Sequence, residues 1–246
     1  MDKIAFITLT NTGYLNYTLN CLKSIEKHNI EIPLKCYSSD IGGYNKLKEM
    51  NIPCEHIDNN YYRGGKHVGF GSKEFGELMK VKVKIIYDNL QKYDYVCYTD
   101  GDIVFLRDNL FKYLLDNIED NNMLVQNNKL DDKVDQMCAG FMFIKSNDFT
   151  KNVFNLDNND YQEIIEESRL NVKSKQWCDQ MYINNIYLTL TNDIFKRKLL
   201  PKPIFPNGEV YNKAKGIIKE PYLIHFNYII GDKKKSIMDQ GGYWYL

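Results

Sequence analysis

Short apolar runs alternate with helical patterns from residue 3 to residue 57, and this alternation restricts the fold more than any other feature of the sequence. Three segments are apolar runs that predict strands and two have the apolar spacing of helices: residues 3–9, 32–38 and 54–57, and residues 14–29 and 44–50. This order requires crossover connections, which produce a parallel sheet with helices on its faces. Ligands of such sheets bind beyond the carboxyl ends of the strands. We therefore expect the loops at residues 10–13 and 40–43 to lie at the binding edge.

The sequence Asp100-Gly101-Asp102 lies between two further apolar runs, residues 95–99 and 103–105. The first run predicts a buried strand, and Gly101 allows the chain to turn sharply at its end. Side chains two residues apart in an extended chain point the same way, so the two carboxylates are expected to converge. Because such a pair is costly to bury, a hard divalent cation, Mg²⁺ or Mn²⁺, is the expected partner. The alternative is a simple hairpin turn, since Asp-Gly is also a turn signal.

The rest of the chain continues the same alternation. We predict helices at residues 74–90, 108–117, 147–155, 158–169 and 176–187, and strands at residues 123–126, 139–144 and 222–226. Residues 127–135 and 200–208 are predicted to be irregular. Residues 59–72 are rich in Gly, Tyr and Asn and contain Arg63, Lys66 and His67, which is typical of a mobile loop over a site or of a surface loop without function.

The composition excludes several classes of protein. The 246 residues form one large or two small domains, and 32 basic residues balance 32 acidic ones, so no overall field favours nucleic acid or an anionic membrane. None of the six cysteines forms a Cys-x-x-Cys pair, which favours reduced thiols in a reducing compartment. The run at residues 4–9 is too short for a signal peptide, and no run is long enough to cross a bilayer. We expect a soluble, cytoplasmic protein without a transmembrane segment.

Several motifs occur together and in a recognisable order. An N-terminal α/β sheet is followed by Asp100-Gly101-Asp102, by Asp179-Gln180 at the start of a predicted helix, and by His225-x-Asn-x-x-x-Gly with lysines after it. In this the chain resembles the GT-A glycosyltransferases of the nucleotide-diphospho-sugar transferase family, over residues 4–244. The resemblance implies one GT-A domain at residues 1–246, with a mostly parallel, Rossmann-like sheet flanked by helices. Residues 1–102 would be the nucleotide-binding half, and residues 103–246 the acceptor half with a C-terminal closing segment.

The resemblance also implies a metal site. Asp102 would bind Mn²⁺ directly, His225 would be the second protein ligand, and Asp100 would reach the ribose or, through water, the metal. Imidazole suits Mn²⁺ better than Mg²⁺, although Mg²⁺ is the alternative. Lys234 or Lys235 would bind the donor diphosphate once the C-terminal segment closes over it. The interpretation that does not involve a site is a solvated basic run.

For the uridine diphosphate (UDP) sugar donor, the resemblance implies contacts from the binding edge and the C-terminal segment: Thr8, Thr10, Asn11, Tyr14, Lys82, Asp100, Gly140, Asn227, Gly231, Lys234 and Lys235. The first three would hold the uracil and ribose, and Tyr14 is a candidate for stacking on the base. Lys82 is preferred to Lys80 and Lys84 because of its spacing from Asp100. Gly140 would lie where the donor sugar passes close to the backbone.

Asp179 and Gln180 match the pair that the family places beside the anomeric carbon of the donor sugar. The resemblance implies retention of configuration by a front-face reaction, in which the leaving diphosphate oxygen takes the proton of the acceptor hydroxyl. Gln180 would orient the sugar and stabilise positive charge at the anomeric centre. Asp179 would hold sugar hydroxyls or act as the nucleophile of a double displacement. The acceptor would be a hydroxyl of a glycan, a protein or a small molecule, contacted by residues 59–72 and 127–135.

Three other functions share part of this pattern. A metal-dependent nucleotidyltransferase also pairs carboxylates around a metal, but it usually needs a glycine-rich phosphate loop, which residues 8–13 lack. A metal-dependent phosphoesterase would use more His and Asp ligands than four histidines readily supply. A sugar-nucleotide-binding module without activity is disfavoured because the proposed catalytic and metal-binding residues are all present. One departure from the family is Cys138, where relatives usually carry Asn, which makes the sugar contact near Gly140 less defined.

Overall fold

The computed structural model describes residues 2–58, 68–171, 173–189, 195–229 and 231–246. The described residues contain the strands β1 (Ile4–Thr10), β2 (Lys35–Ser38), β3 (Cys54–His56), β4 (Tyr95–Thr99), β5 (Ile103–Phe105), β6 (Met123–Asn127), β7 (Met137–Lys145), β8 (Arg197–Leu200) and β9 (Leu223–His225). Seven of them form one sheet in the order β3-β2-β1-β4-β7-β6-β8, and β5 pairs with β9 in a second, two-stranded sheet. In the large sheet only β7 runs antiparallel to its neighbours, so the prediction of a mostly parallel sheet is confirmed.

Helices flank the sheet. Those of the described residues are α1 (Leu15–Lys27), α2 (Ile41–Glu49), α3 (Lys73–Leu90), α4 (Leu110–Ile118), α5 (Asp148–Phe154), α6 (Tyr161–Asn171), α7 (Asp179–Thr189), α8 (Gly208–Lys213) and α9 (Asp232–Gln240), with a short 3₁₀ turn at Lys215–Ile217. Parallel strands need such crossovers.

The sheet is buried on both faces. On one face, Ala5, Ile7 and Leu9 of β1 belong to a core shared with α3, α5, α6 and α7. On the other face, Phe6 belongs to a core shared with α1 and α4. This explains why β1 reads as a nearly continuous apolar run, since a strand covered on both faces needs apolar residues at every position.

Three parts of the structure differ from the sequence predictions. Residues 40–43 are not a loop: the Asp40 carboxylate accepts a hydrogen bond of 2.7 Å from the Gly43 N–H and caps α2 from Ile41, so the glycines lie in its first turn. The Asp-Gly-Asp sequence is not a hairpin turn, because β4 and β5 belong to different sheets. Residues 197–200, 208–213 and 232–240, for which the sequence predicted no helix or strand, form β8, α8 and α9.

The C-terminal segment is fastened to α1 by one buried amide. Asn20 Nδ2 donates to the Tyr243 carbonyl at 2.9 Å, and the Tyr245 N–H donates to Asn20 Oδ1 at 2.6 Å. Tyr17 packs edge-to-face on Trp244 with ring centroids 5.7 Å apart. These contacts hold the segment that follows α9 against α1, and α9 itself lies at the end of the molecule where β4 ends.

The proposed loop at residues 59–72 falls partly outside the described residues, and with it Arg63, Lys66 and His67. All six cysteines are free thiols, as expected from their spacing, and five of them are buried. None of the helices in the described ranges combines the length and the apolar character that crossing a membrane would require.

Candidate active site

Asp100, Asp102 and His225 converge at the carboxyl end of β4. One potential ligand atom from each lies within 4.8 Å of the others. His225 Nε2 is 3.3 Å from Asp102 Oδ1 and 3.8 Å from Asp100 Oδ2. The pairing of β5 with β9 places Ile103 opposite His225, and the Phe226 N–H donates to the Asp102 carbonyl at 3.1 Å. The small second sheet therefore carries the histidine, 123 positions away in sequence (225 − 102), to the two carboxylates.

Gln126, on β6, orients the imidazole of His225. Its Nε2 donates to the carbonyls of Phe205 and Pro206, each at 3.1 Å, which turns Oε1 towards His225 Nδ1 at 2.8 Å. An amide oxygen can only accept, so His225 Nδ1 carries a proton. Nε2 is then the nitrogen that faces the carboxylates, as expected of a histidine prepared to bind a metal.

Gly140, on β7, leaves the space that this cluster needs. A Cβ at this position would lie 2.1 Å from His225 Cε1 and 2.8 Å from Asp100 Oδ2. The structure therefore gives Gly140 a packing role against the cluster, in addition to the donor-sugar contact expected of it. The Asp100 N–H also donates to the Gly140 carbonyl at 2.7 Å, which joins the ends of β4 and β7 beside the cluster.

Lys82 links two parts of the site that are far apart in sequence. From α3 its Nζ lies 3.2 Å from Asp100 Oδ1 and 2.6 Å from Asp179 Oδ2, and it donates to the Ala139 carbonyl at 2.7 Å. Burial lowers the pKa of Lys82, but the charges of Asp100 and Asp179 outweigh it, so the pKa lies well above its usual value. The other two candidates lie elsewhere, since Lys80 pairs with Glu77 and Lys84 pairs with Asp88.

Lys234 reaches the cluster from α9. Its Nζ lies 2.5 Å from Asp102 Oδ2 and donates to Tyr14 Oη at 3.0 Å. Lys235, the alternative in the sequence, lies instead over Trp244, with Nζ 5.0 Å from the ring centroid. Between the two lysine candidates, the structure brings Lys234 to the carboxylates. Gly231, whose φ is +66°, precedes α9 in a backbone conformation that favours glycine.

Opposite charges alternate through the cluster. Burial raises the pKa of Asp102, but the neighbouring charges of Lys234 and His225 outweigh it, and the pKa lies well below its usual range. Burial likewise lowers the pKa of His225, and the charge of Asp102 outweighs it and raises this pKa to about 10. Asp102 thus stays ionised and attracts cations, and binding of a metal at Nε2 of His225 would release the proton held there.

These donors fit a divalent cation. Two carboxylates and one imidazole nitrogen face a common point, Asp102 and His225 are buried, and the Asp100 side chain is 33% exposed. Oxygen ligands with one imidazole suit Mn²⁺ or Mg²⁺. A site held by three protein groups leaves further coordination positions for a substrate.

Asp179 and Gln180 lie in the first turn of α7, as predicted. Asp179 is buried and pairs with Lys82, which joins it to Asp100 through a single ammonium group. The positive end of the helix dipole also favours a carboxylate there. Gln180 is half-buried next to it, so its side chain remains available to a ligand from the same edge of the sheet.

The residues expected to hold the nucleotide have different roles in the structure. Thr8 Oγ1 is buried and has no hydrogen-bond partner among the described residues. Thr10 Oγ1 accepts from Thr18 Oγ1 at 2.8 Å, and Asn11 Oδ1 accepts from the Tyr14 N–H at 2.9 Å, so both shape the turn into α1. Of the three, Thr8 keeps unused hydrogen-bonding capacity.

Asn227 binds the protein rather than facing the carboxylates. Its Oδ1 accepts from the Gly208 N–H at 2.7 Å, and its Nδ2 lies 3.5 Å from Cys138 Sγ. Cys138 Sγ is in turn 3.6 Å from His225 Nδ1. The cysteine that departs from the family pattern is therefore part of the packing around His225.

Three functional residues were missed in the sequence. Gln126 orients His225, Tyr98 Oη donates to Asp100 Oδ1 at 3.0 Å, and Asp40 Oδ2 accepts from the Thr12 N–H at 2.7 Å in the loop after β1. Tyr98 had a signal, because it precedes Asp100 by two residues and shares its face of the strand. Gln126 had a signal as well, because a polar side chain in a predicted buried strand needs a hydrogen-bond partner.

The fold is that of the GT-A glycosyltransferases. A crystal structure of the galactosyltransferase LgtC with donor and acceptor sugar analogs aligns over 98% of this chain and 96% of that one, with a TM-score of 0.61 and 14% identity. Mouse xyloside xylosyltransferase 1 aligns over 93% of this chain and all of that one, with a TM-score of 0.57 and 8% identity. GlyE of Streptococcus pneumoniae aligns over 100% and 65%, with a TM-score of 0.56 and 14% identity.

The chain belongs to the nucleotide-diphospho-sugar transferase family, whose sequence model matches residues 38–238. A similar protein is the UDP-galactose:fucoside alpha-3-galactosyltransferase of Dictyostelium discoideum, with 28% identity over 291 aligned positions that include all of this chain. The chain spans 43% of the length of that relative.

Proposed function

We propose that this glycosyltransferase transfers a sugar from a UDP-sugar to a hydroxyl acceptor with a divalent cation, preferably Mn²⁺, and retains the anomeric configuration. The observation that carries the proposal is the convergence of Asp100, Asp102 and His225, flanked by the buried ammonium groups of Lys82 and Lys234. In this proposal residues 1–102 bind the nucleotide and residues 103–246 bind the acceptor.

Asp102 and His225 would hold the cation, and Asp100 would hold it or the ribose. When bound, the cation would neutralise the donor diphosphate and make it a better leaving group. The protein's contribution is to present the carboxylates and Nε2 of His225, which is kept in orientation by Gln126 and would lose its proton to bind the cation. This is consistent with the charges described above, since each anionic group is stabilised by a neighbouring cation.

Lys234 would contact the diphosphate as it leaves. Its ammonium already lies against Asp102, and it is delivered by a helix that follows a glycine with positive φ, a suitable place for a segment to close. Negative charge grows on the diphosphate oxygens in the transition state, where a fixed ammonium group stabilises it most. Lys235 is a poorer candidate because it packs on Trp244.

Gln180 would orient the donor sugar and stabilise charge at its anomeric carbon. The pairing of Asp179 with Lys82 supports a binding role for this carboxylate, because an ion-paired carboxylate is a weaker nucleophile than a free one. The front-face reaction therefore fits better than a double displacement. In it, the bond from the anomeric carbon to the diphosphate breaks, the acceptor oxygen bonds to the same face, and its proton goes to the leaving oxygen.

The similarity to the Dictyostelium protein suggests which substrates to test first. UDP-galactose is the first donor and a fucoside the first acceptor, and the similarity supports the UDP part of the proposal. Tyr14, beside Lys234, is the candidate for direct nucleotide contact, and the buried hydroxyl of Thr8 would need the loop after β1 to open before it could reach the nucleotide. Thr10, Asn11 and Asn227 would act mainly by shaping the loops around them.

The test is donor hydrolysis without an acceptor. The protein is incubated with UDP-galactose, UDP-glucose, UDP-xylose and other nucleotide sugars, with Mn²⁺ or with a chelator, and free nucleoside diphosphate is measured. We expect slow, Mn²⁺-dependent release of UDP from one donor. In a second reaction, with that donor and a fucoside acceptor, NMR of the glycoside formed should show the donor's anomeric configuration. Release that is equal in chelator would contradict the metal, and an inverted product would contradict retention.

A further inference from the structure

Tyr228 is a bulky aromatic residue in an unusual position. It follows His225 by three residues, and its side chain is 48% exposed although its neighbours Phe226 and Ile229 are buried. Among the exposed large apolar side chains of the described residues, Tyr228 is the one whose position in the sequence falls between His225 and Lys234. An exposed aromatic ring beside a charged site requires a reason, because burial elsewhere in this segment is nearly complete.

The ring of Tyr228 is held in place from both ends of the side chain. Its φ is +62°, a left-handed conformation that is unfavourable for a bulky residue and is found where the surrounding structure imposes it. At the other end, Tyr228 Oη donates to the Asn128 carbonyl at 2.8 Å. Asn128 is itself buried, and its carbonyl also accepts from Asn207 Nδ2 at 2.8 Å. The ring is therefore rigid.

The anchor of Tyr228 lies next to the anchor of His225. Gln126 holds the imidazole and Asn128, two residues later, holds the tyrosine hydroxyl. Gln126 and His225 lie in β6 and β9, and Asn128 and Tyr228 lie just beyond these two strands. Both contacts therefore tie the same two parts of the chain together, and Lys129 Nζ lies over the Tyr228 ring, 5.6 Å from its centre.

We propose that the exposed ring of Tyr228 is the platform on which the acceptor sugar stacks. This rests on the function proposed above. The C–H groups on one face of a pyranose ring are apolar and pack on an aromatic ring, while the hydroxyl groups at its edge remain free to react or to be hydrogen-bonded. A tyrosine offers this surface at low entropic cost, and here the backbone and the hydroxyl have already fixed it. Lys129, whose ammonium lies over the ring, would donate to a hydroxyl of the stacked sugar.

The test compares three variants by saturation-transfer NMR. The probes are methyl glycosides of fucose, galactose, glucose and xylose, added to protein saturated with UDP and Mn²⁺. Tyr228→Gly removes the ring and suits the positive φ, so the fold should be kept. Tyr228→Phe keeps the ring without its hydroxyl. Glu119→Gly is the matched control, because Glu119 also has a positive φ, of +47°, at the opposite edge of the sheet.

We expect at least one glycoside to bind the wild-type complex. Its affinity should fall about tenfold in Tyr228→Gly, the effect of losing one ring contact, and this loss should exceed any loss of UDP affinity. Tyr228→Phe should lose less than about threefold, since the ring contact remains. Glu119→Gly should match the wild type.

Two results would contradict the proposal that Tyr228 stacks on the acceptor sugar. One is equal glycoside binding to the wild type and to Tyr228→Gly, and the other is a wild-type UDP complex that binds none of the glycosides. In both cases the protein would still bind UDP. Failure of the proposed function would look different, because the wild-type protein would then show no Mn²⁺-dependent binding of UDP in the calorimeter. Equal binding to both proteins would direct attention to a protein partner for the exposed ring.

Discussion

At the scale of single residues, the two nitrogens of the His225 imidazole have different partners. Nδ1 donates to the side-chain oxygen of Gln126, and Nε2 faces the carboxylates. Lys82 and Lys234 then balance the negative charge from opposite sides, one from α3 and one from α9. A buried carboxylate without such partners would be protonated, so the lysines also keep the metal ligands ionised.

Substitution of Asp102 by Asn should remove metal-dependent nucleotide binding. The variant loses a ligand and leaves Lys234 buried without its ion-pair partner, so the affinity for UDP in Mn²⁺ should fall by more than the roughly 10- to 100-fold typical of losing a hydrogen-bond partner of a ligand. Titration calorimetry with UDP and Mn²⁺ measures this. Asp116→Asn, in an exposed pair with Lys112, is the control. Unchanged UDP affinity in Asp102→Asn would show that the metal is bound elsewhere.

Substitution of Gln126 by Met should weaken Mn²⁺ binding about 10- to 100-fold, because His225 would lose the acceptor that fixes its orientation. Electron paramagnetic resonance of free Mn²⁺ measures the affinity without nucleotide or turnover. Asn89→Leu is a matched control, since Asn89 is also buried and hydrogen-bonded but lies in another network, with Tyr37 and the Ile85 carbonyl. An equal loss in both variants would mean that the effect of Gln126 is general destabilisation.

At the scale of elements, the ends of three strands meet residues of three helices, α3, α7 and α9, at the site. The ends of β4 and β7 are joined by the hydrogen bond from Asp100 to Gly140, and β9 crosses beside them with His225. The helix α9 adds Lys234 and is fastened by the residues after it to Asn20 of α1. A change in the spacing of any of these elements therefore moves a ligand of the cluster.

Substitution of Gly140 by Ala tests this spacing. The new Cβ would meet His225 Cε1 at 2.1 Å, so β7 and β9 must separate or the imidazole must turn. We expect a loss of about 1–3 kcal/mol of unfolding free energy and a clear loss of Mn²⁺ affinity. Gly216→Ala is the control, because a Cβ there meets nothing within 4 Å. Normal Mn²⁺ binding by Gly140→Ala, measured with chemical denaturation on the same sample, would show that the elements have room to adjust.

At the scale of the whole molecule, a chain with no net charge buries a small group of opposite charges at one end of a sheet. The two cores on either face of the sheet bury apolar side chains, whereas Lys82, Asp102, His225 and Lys234 are buried at the carboxyl end of β4. Burial of like-charged carboxylates is costly, so a ligand that completes the charge balance should stabilise the entire fold.

Binding of Mn²⁺ and UDP together should therefore raise the thermal midpoint. At ligand concentrations of about 100 times Kd the stabilisation is about 2.7 kcal/mol, which corresponds to roughly 5–10 °C for a domain of this size. Differential scanning fluorimetry with and without chelator measures the shift, and Asp102→Asn should abolish it. A shift by UDP that survives the chelator would indicate metal-independent nucleotide binding.

Much of the fold could be predicted from local pattern, and less of the site. The strands β1, β4 and β7 are apolar runs, and α1 and α3 have clear apolar stripes, so their approximate positions followed from the sequence. The strand β8 and the helix α9 did not, because residues 197–200 begin with two basic side chains and the lysines of residues 233–235 fit a solvated basic run. Their structure depends on distant partners: Arg197 pairs with Asp135, and Lys234 with Asp102.

Local sequence pattern was enough for the class of the fold and for the chemical groups of the site. Alternating strands and helices dictate a sheet with crossovers, and Asp-Gly-Asp, Asp-Gln and the C-terminal His and Lys residues supply the charged groups. The three-dimensional contacts were needed to show which lysine of each cluster and which nitrogen of His225 face the carboxylates, and why Gly140 and Tyr228 occupy their positions. Pattern and propensity act over a few residues, whereas the site is set by contacts between distant side chains. Lys82 and Asp179 are 97 positions apart (179 − 82), and Lys234 and Asp102 are 132 positions apart.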